Sequence, residues 1–179
     1  MRDDRWEYRI WPESGAEKVA RITSLLGQEL KSEYRSDVYF LTPAEHISAK
    51  IRGGKLFEVK ELLENRGGCE RWVKAVEQPV SGSRTLDGLL GEAKETELGK
   101  ALLEAAIGSI AIVDVRKHRR LFQCGTSEVE ATSVMVAGKR LDTLALESPS
   151  YEECSEIASK LGFMEQDNTD YGTVLRALR

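Results

Sequence analysis

Six basic residues, Arg9, Lys50, Arg52, Lys60, Lys117 and Arg119, sit in runs where polar and apolar residues alternate. In extended backbone a two-residue period places such residues on one face. His46, Ser48, Lys50 and Arg52 share one face of their run, with Ile47, Ala49 and Ile51 on the other; Glu58 and Lys60 alternate with Phe57 and Val59. Lys117 and Arg119 are two apart, as are Glu128 and Glu130, and Arg5, Glu7 and Arg9 form a further alternating set. Guanidinium and ammonium groups converging from several strands can neutralise a chain of phosphates. If the polar set faces the inside of a barrel, it needs counter-charges: acidic side chains, a bound polyanion, or both. An ordinary half-buried sheet with its polar side in water has the same alternation, so the pattern leaves both readings open.

The charge balance narrows the ligand. The 179 residues carry 26 basic and 30 acidic side chains, a net charge of −4. That excludes a DNA-binding domain working by overall positive charge, though not a local basic groove, and no nucleic-acid duplex is expected as a partner. Only two histidines, His46 and His118, are present, too few for a His-rich metal site; a bound metal would be a hard one on carboxylates. Cys69, Cys124 and Cys154 are odd in number and dispersed, which predicts reduced thiols in a cytoplasmic protein. The longest uncharged apolar stretch, Ala105–Val113, is interrupted by Gly108 and Ser109, so no membrane-spanning helix is expected, and the first residues lack the apolar core of a secretory signal. No Gly-rich Walker loop, dinucleotide fingerprint or Gly-x-Ser-x-Gly occurs.

Apolar residues make up 41% and charged ones 31%, enough for one core and against disorder, so residues 1–179 are expected to form one domain. Nine runs read as strands: Asp4–Trp11, Ser36–Leu41, His46–Arg52, Lys55–Leu63, Glu70–Glu77, Ser109–Arg116, Arg119–Cys124, Glu128–Val136 and Arg140–Glu147. Gly53-Gly54 predicts a two-residue hairpin turn, and Ala137-Gly138-Lys139 another turn. Ser14-Gly-Ala-Glu17 and Ser150-Tyr-Glu-Glu153 have the form of capping boxes opening amphipathic helices, the second ended by Gly162. A third helix is expected over about 95–106, after a Gly- and Ser-bearing loop, Pro79–Gly91. The fold class is therefore mainly β with flanking helices (α+β): a closed or nearly closed antiparallel barrel of eight strands.

The motif order adds a resemblance. Asp37-Val-Tyr-Phe40, then Lys50-Ile-Arg52-Gly-Gly-Lys-Leu-Phe-Glu58-Val-Lys60, then Val115-Arg-Lys117-His-Arg119, then Glu128-Val-Glu130 resembles the CYTH superfamily, the triphosphate tunnel metalloenzymes. The segment Leu144-Ala-Leu-Glu147, with the capped helix after it, is similar to that family's closing segment. The resemblance implies an eight-stranded barrel whose polar tunnel binds triphosphates, with basic residues on the phosphates and carboxylates on magnesium or manganese. It implies hydrolysis of an organic triphosphate or of tripolyphosphate, or, in one branch, cyclisation of ATP.

This chain departs from the family at the carboxylates. The family opens with Glu-x-Glu-x-Lys; here Arg5-Trp-Glu7-Tyr-Arg9 keeps one Glu, and a register starting at Glu7 keeps fewer matches. Where a later Glu-x-Glu is expected the chain has Ala145-Leu-Glu147. Carried over residue by residue, the resemblance implies metal held by Glu7, Glu130 and Glu147, the minimum Mg²⁺ or Mn²⁺ needs, with too few ligands for a second ion. Arg5 in a carboxylate's place repels a cation and attracts phosphate, so phosphate contacts are expected from Arg5, Arg9, Lys50, Arg52, Lys60, Lys117 and Arg119. Three functions follow: a metal-dependent triphosphatase, a polyphosphate or nucleotide binder that needs no metal and does no catalysis, or a structural or partner-binding barrel with its charges in solvent.

Overall fold

The computed structural model describes residues 4–13, 15–80, 82 and 85–179. Eight strands close into an antiparallel barrel: β1 (Asp4–Ile10), β2 (Lys31–Leu41), β3 (Ile47–Arg52), β4 (Leu56–Arg66), β5 (Cys69–Pro79), β6 (Ala111–Cys124), β7 (Ser127–Val136) and β8 (Lys139–Ser148). Around the barrel the order is β1-β5-β4-β3-β2-β6-β7-β8, with β8 pairing back onto β1. The nine expected runs become eight strands because Ser109–Arg116 and Arg119–Cys124 belong to the single strand β6. Its residues from Ala111 to Leu121 pair without a break against Leu41 to Lys31 of β2.

The strands turn their apolar faces outward and their polar faces inward. Trp6, Tyr8, Ile10, Phe122, Val129, Leu144 and Leu146 are covered by α1 (Gly15–Leu26) and α4 (Tyr151–Lys160), which contribute Ile22, Cys154, Ile157 and Ala158. On the other side Phe40, Ile47, Ile51, Phe57 and Val59 lie under α2 (Leu86–Leu90) and α3 (Glu97–Ala106). Each large apolar side chain buried there contributes about 1.5–3 kcal/mol. Inside the barrel, an apolar cluster gathers at one end: Tyr39, Leu41, Val115, Val134 and Val136 pack against Tyr171 and Leu175 of α5 (Tyr171–Ala177).

Several local expectations change. The Ser14 capping box lies partly outside the described residues. Helix α2 occupies part of the stretch expected to be a flexible loop, capped by Thr85, whose hydroxyl accepts from the Gly88 amide. At Ser150 the N-cap is as expected, its hydroxyl accepting from the Glu153 amide at 3.2 Å. The Glu153 carboxylate, however, takes the amide and hydroxyl of Thr126 in the β6–β7 turn, so it ties α4 to the barrel. The Gly53-Gly54 turn is one residue longer than expected, because Arg52 pairs with Leu56 and leaves Gly53, Gly54 and Lys55 as the loop.

Two-residue hairpins join β4 to β5, β6 to β7 and β7 to β8; in the last, Val136 pairs with Lys139 around Ala137 and Gly138. Both turn residues have positive φ, 48° at Ala137 and 75° at Gly138. A Cβ-bearing residue pays for that conformation, and Asn tolerates it better than Ala. Ala137→Asn is therefore expected to stabilise the protein by about 1 kcal/mol. Denaturant titration checks this: an unchanged or lower midpoint would contradict the strain assigned to Ala137.

Candidate functional site

The inward faces of the strands enclose a cavity of about 370 Å³. β1 turns Arg5, Glu7 and Arg9 into it, β3 turns Ser48, Lys50 and Arg52, β4 turns Glu58 and Lys60, and β6 turns Lys117, Arg119 and Gln123. Glu128 and Glu130 of β7 and Glu147 of β8 complete the far wall. All ten residues expected from the sequence for phosphate or metal thus line one cavity. His46 is exposed before β3; His118 lies on the outer face of β6, bonded to Ser32 and stacked on Tyr34.

The cations are held by carboxylates behind or beside them. Asp37 is buried and meets Lys117 Nζ at 2.8 Å, Arg35 Nε at 2.9 Å and the Gly53 amide at 3.1 Å. Glu58 pairs with Lys50 at 2.9 Å and reaches Arg52 at 3.8 Å. Glu130 accepts from Arg119 and from the Thr132 hydroxyl at 2.6 Å, with Arg9 at 3.6 Å, while Glu33 takes the other side of Arg119. Lys60 donates to Glu7 at 2.5 Å. Burial pushes the Asp37 and Glu58 carboxyls up, but Lys117 and Arg35 on one, and Lys50 and Lys60 on the other, outweigh it and hold each at about 2. Burial is also the largest influence on Glu130, yet Arg9 and Arg119 keep it well below the usual carboxylate range. Lys117, fully enclosed, is pulled down by burial against the opposing pull of Asp37.

Glu33, Arg35, Asp37 and Tyr39 were not expected as site residues. The sequence predicts this strand only from Ser36 onward, although the alternation Glu33, Arg35, Asp37, Tyr39 runs through its first half. Glu70 and Glu128 were also outside the expected set. Strand register reveals what they share. Glu70 of β5 lies opposite Glu7 of β1, Glu7 opposite Glu147 of β8, and Glu147 opposite Glu128 of β7. Four carboxylates thus form a belt across four neighbouring strands, all lining the cavity. Like charges directly opposite are unfavourable. Burial and this mutual repulsion raise Glu7 and Glu128 and push Glu70 up to about 6.

The belt bears on a metal. Among the described residues no three His, Cys, Asp or Glu side chains are drawn close enough to hold an ion between them. Glu130 is saturated by Arg9, Arg119 and Thr132, and the neighbouring position, Ala145, faces Arg9 and Glu130 with a methyl group. An all-protein cage does not fit. Mg²⁺ needs only one or two carboxylates when phosphates supply the remaining oxygens, and Glu147, with Glu7 and Glu128 on either side, fits that sparser arrangement.

The fold is shared with solved structures. A protein of Pyrococcus horikoshii superposes with a TM-score of 0.59 at 22% identity, covering 92% of this chain and 94% of its own. At this identity the likeness is one of fold. A Bacillus halodurans protein put forward as an adenylate cyclase matches this barrel with a TM-score of 0.57 at 14% identity, over 97% of each chain. A Hippeastrum protein, put forward as an adenylyl cyclase and described as having a dominant triphosphatase activity, gives a TM-score of 0.55 at 12% identity, over 89% of this chain and 88% of that one. No family model matches the sequence, and comparison with curated proteins gives no match. No described helix is long and apolar enough to cross a membrane.

Removing Asp37 tests the pairing directly. Its folded-state carboxyl lies below the ordinary 3.8, so its stabilisation is present above that value and lost as pH falls towards about 2. Asp37→Asn is expected to cost about 3–5 kcal/mol at neutral pH, the usual loss when one partner of a buried ion pair is removed. The gap from the parent should shrink below pH 4, as measured by thermal melts across pH. A pH-independent or negligible difference would show that Asp37 does not hold the cations.

Proposed function

We propose that the cavity binds a linear phosphate chain, either tripolyphosphate or the triphosphate of a small organic molecule, and that a divalent cation enters with it. The observation that carries this reading is the separation of charge around the lumen. Arg35, Lys50, Arg52, Lys117 and Arg119 come from β2, β3 and β6, while the carboxylate belt spans β5, β1, β8 and β7. Phosphate oxygens would lie against the basic wall, within reach of Arg9 and Lys60. Mg²⁺ or Mn²⁺ would lie between them and the belt, held by Glu147 with Glu7 or Glu128. Bound there, such an ion supplies charge neutralisation to the phosphate oxygens and polarises a P–O bond towards hydrolysis. The chain's own contribution is to hold the phosphates straight between fixed cations, themselves pinned by Asp37, Glu58 and Glu130.

The structural-barrel alternative needs the basic side chains outside, and they line the interior. The binder without catalysis has a specific observation in its favour. Arg5 lines the cavity where the related motif has a carboxylate, and Ala145 takes the place of another. Both changes remove metal ligands, and the first adds a phosphate-binding cation.

Thermal shift and calorimetry separate these functions. Tripolyphosphate with Mg²⁺ should stabilise the protein by about 2.7 kcal/mol at 100 times its Kd. Part of that binding should persist in EDTA, and Arg5→Ala should weaken the persisting part by about 1.5–3 kcal/mol, the worth of a charged hydrogen bond. Glu147→Ala should remove the Mg²⁺-dependent part and any phosphate release. No stabilisation by tripolyphosphate, ATP or thiamine triphosphate with either metal would end the phosphate reading; full binding with no turnover would favour the binder.

A further inference from the structure

Strands β2, β6, β7 and β8 share an outer face that is open to solvent at Tyr34, Arg116, Met135 and Arg140. Strand register sets its side chains in rows across the sheet. Tyr34, His118, Ser133 and Asp142 stand opposite one another in one row, and Ser36, Arg116, Met135 and Arg140 in the next. On the other side Ser32 faces Arg120, which faces Ala131. Lys117 and Arg119 point into the lumen, so alternation turns Arg116, His118 and Arg120 outward. Arg116 and Arg120 thus flank His118, each about 7 Å away along the strand.

Tyr34 and His118 form an aromatic platform on this face. Their rings stack with centroids 4.3 Å apart and planes 9° from parallel, and Ser32 Oγ lies 2.9 Å from His118 Nε2, which fixes the imidazole. Tyr34 is nevertheless 84% exposed, so the stack positions a ring whose surface stays in water. The arginines here differ from the cations of the lumen. Lys50, Lys60, Lys117 and Arg119 each have a carboxylate, whereas the side chains of Arg116 and Arg120 have no hydrogen bond or ion pair among the described residues. Two acidic residues share the face. The Ser133 hydroxyl donates to Asp142 at 2.7 Å and accepts from Arg140 Nε at 3.1 Å, and Asp114 makes no ion pair among the described residues. Three arginines against two carboxylates leave the face basic on a chain of net charge −4. Beside Arg120, the sheet and the first turn of α1 enclose a cavity of about 250 Å³, lined by Gly15, Ala16, Val19, Arg120 and Leu144 and sharing no residue with the lumen.

We propose that this outer face binds single-stranded nucleic acid: a base stacks on Tyr34, and the phosphates beside it meet Arg116 and Arg120, the latter in the cleft under α1. An exposed aromatic ring among unpaired guanidiniums on a sheet takes unstacked bases and a phosphate backbone together. The platform suits a single strand, because a duplex keeps its bases stacked on one another and offers Tyr34 no open base. Sequence preference is slight, since every base has a π-face. The site lies outside the barrel and does not depend on what the lumen holds.

Fluorescence anisotropy with the full chain and a labelled uridylate decamer lacking terminal phosphates tests this. At about 50 mM salt the decamer should bind with a Kd of about 1–100 μM, and binding should weaken as salt rises. Tyr34→Ala should weaken it about five- to a hundredfold, the worth of one stacked base, and Tyr34→Trp should retain it. Arg116→Ser and Arg120→Ser should each weaken binding and flatten the slope of log K against log salt by about 0.7. These side chains lie outside the lumen, so melting temperatures and tripolyphosphate binding should not change. Arg52→Ala, in the lumen, should leave decamer binding as it is. Undiminished binding to Tyr34→Ala, or a loss confined to Arg52→Ala, would overturn the outer site. A duplex bound as tightly as the decamer would overturn the stacking, and a glutamate decamer competing equally well would assign the face to an acidic protein instead. No binding of the decamer at low salt overturns the proposal whatever the lumen binds.

Discussion

Charges taken out of water must be paired, and this barrel takes many of them inside. Isolated, each buried ion would cost several kcal/mol even after relaxation. Asp37 carries the heaviest duty: it joins Lys117, Arg35 and the Gly53 turn, and so links β2, β6 and the β3–β4 hairpin. Glu130 does the same for Arg9, Arg119 and Thr132 across β1, β6 and β7. With the strands' polar faces inward, their apolar faces look outward and need cover. The helices exist to supply it, which is why they lie on the barrel wall under Phe57, Phe122 and Leu146.

Pairing also settles what the site is ready to do. Cations fixed by buried carboxylates need no reorganisation when an anion arrives, and that preorganisation is the main electrostatic lever of a binding or catalytic site. The carboxylate belt is different in kind. Glu70, Glu7, Glu147 and Glu128 face one another across the sheet, and of the four Glu7 has Lys60 against it. Repulsion left in a folded protein marks a place where a cation or protons improve the balance. The basic wall and the belt thus have complementary appetites, one for negative charge and one for positive.

Much of this was legible in the sequence because a two-residue period survives burial on either face. Lys50, Arg52, Glu58 and Lys60 could be placed together from spacing alone, and the outward apolar partners made the strands visible. The first half of β2 was not legible, because its outward residues are polar or exposed, Tyr34 at 84%. Lys117-His118 reads as a break between two strands for the same reason: the polar run from Arg116 to Arg120 conceals a strand whose continuity comes from β2 and β7. The belt depends on register between strands distant in sequence. Tyr171 depends on a return of the chain to β1 that Asn168 makes by side-chain bonding, which no local pattern announces. Glu130 was readable as a lumen carboxylate, but its saturation by Arg9 and Arg119 required the third dimension.

The central claim is that the paired charges form a receptor for a phosphate chain inside the barrel. A crystal structure of the protein grown with tripolyphosphate and Mn²⁺ tests it most directly, because anomalous scattering locates the metal independently of the phosphates. The account predicts phosphates along Arg119, Lys50 and Arg9, and manganese on the belt side at Glu147. Tripolyphosphate bound on the outer surface, with the ion pairs of Asp37, Glu58 and Glu130 undisturbed and no ligand in the lumen, would contradict it.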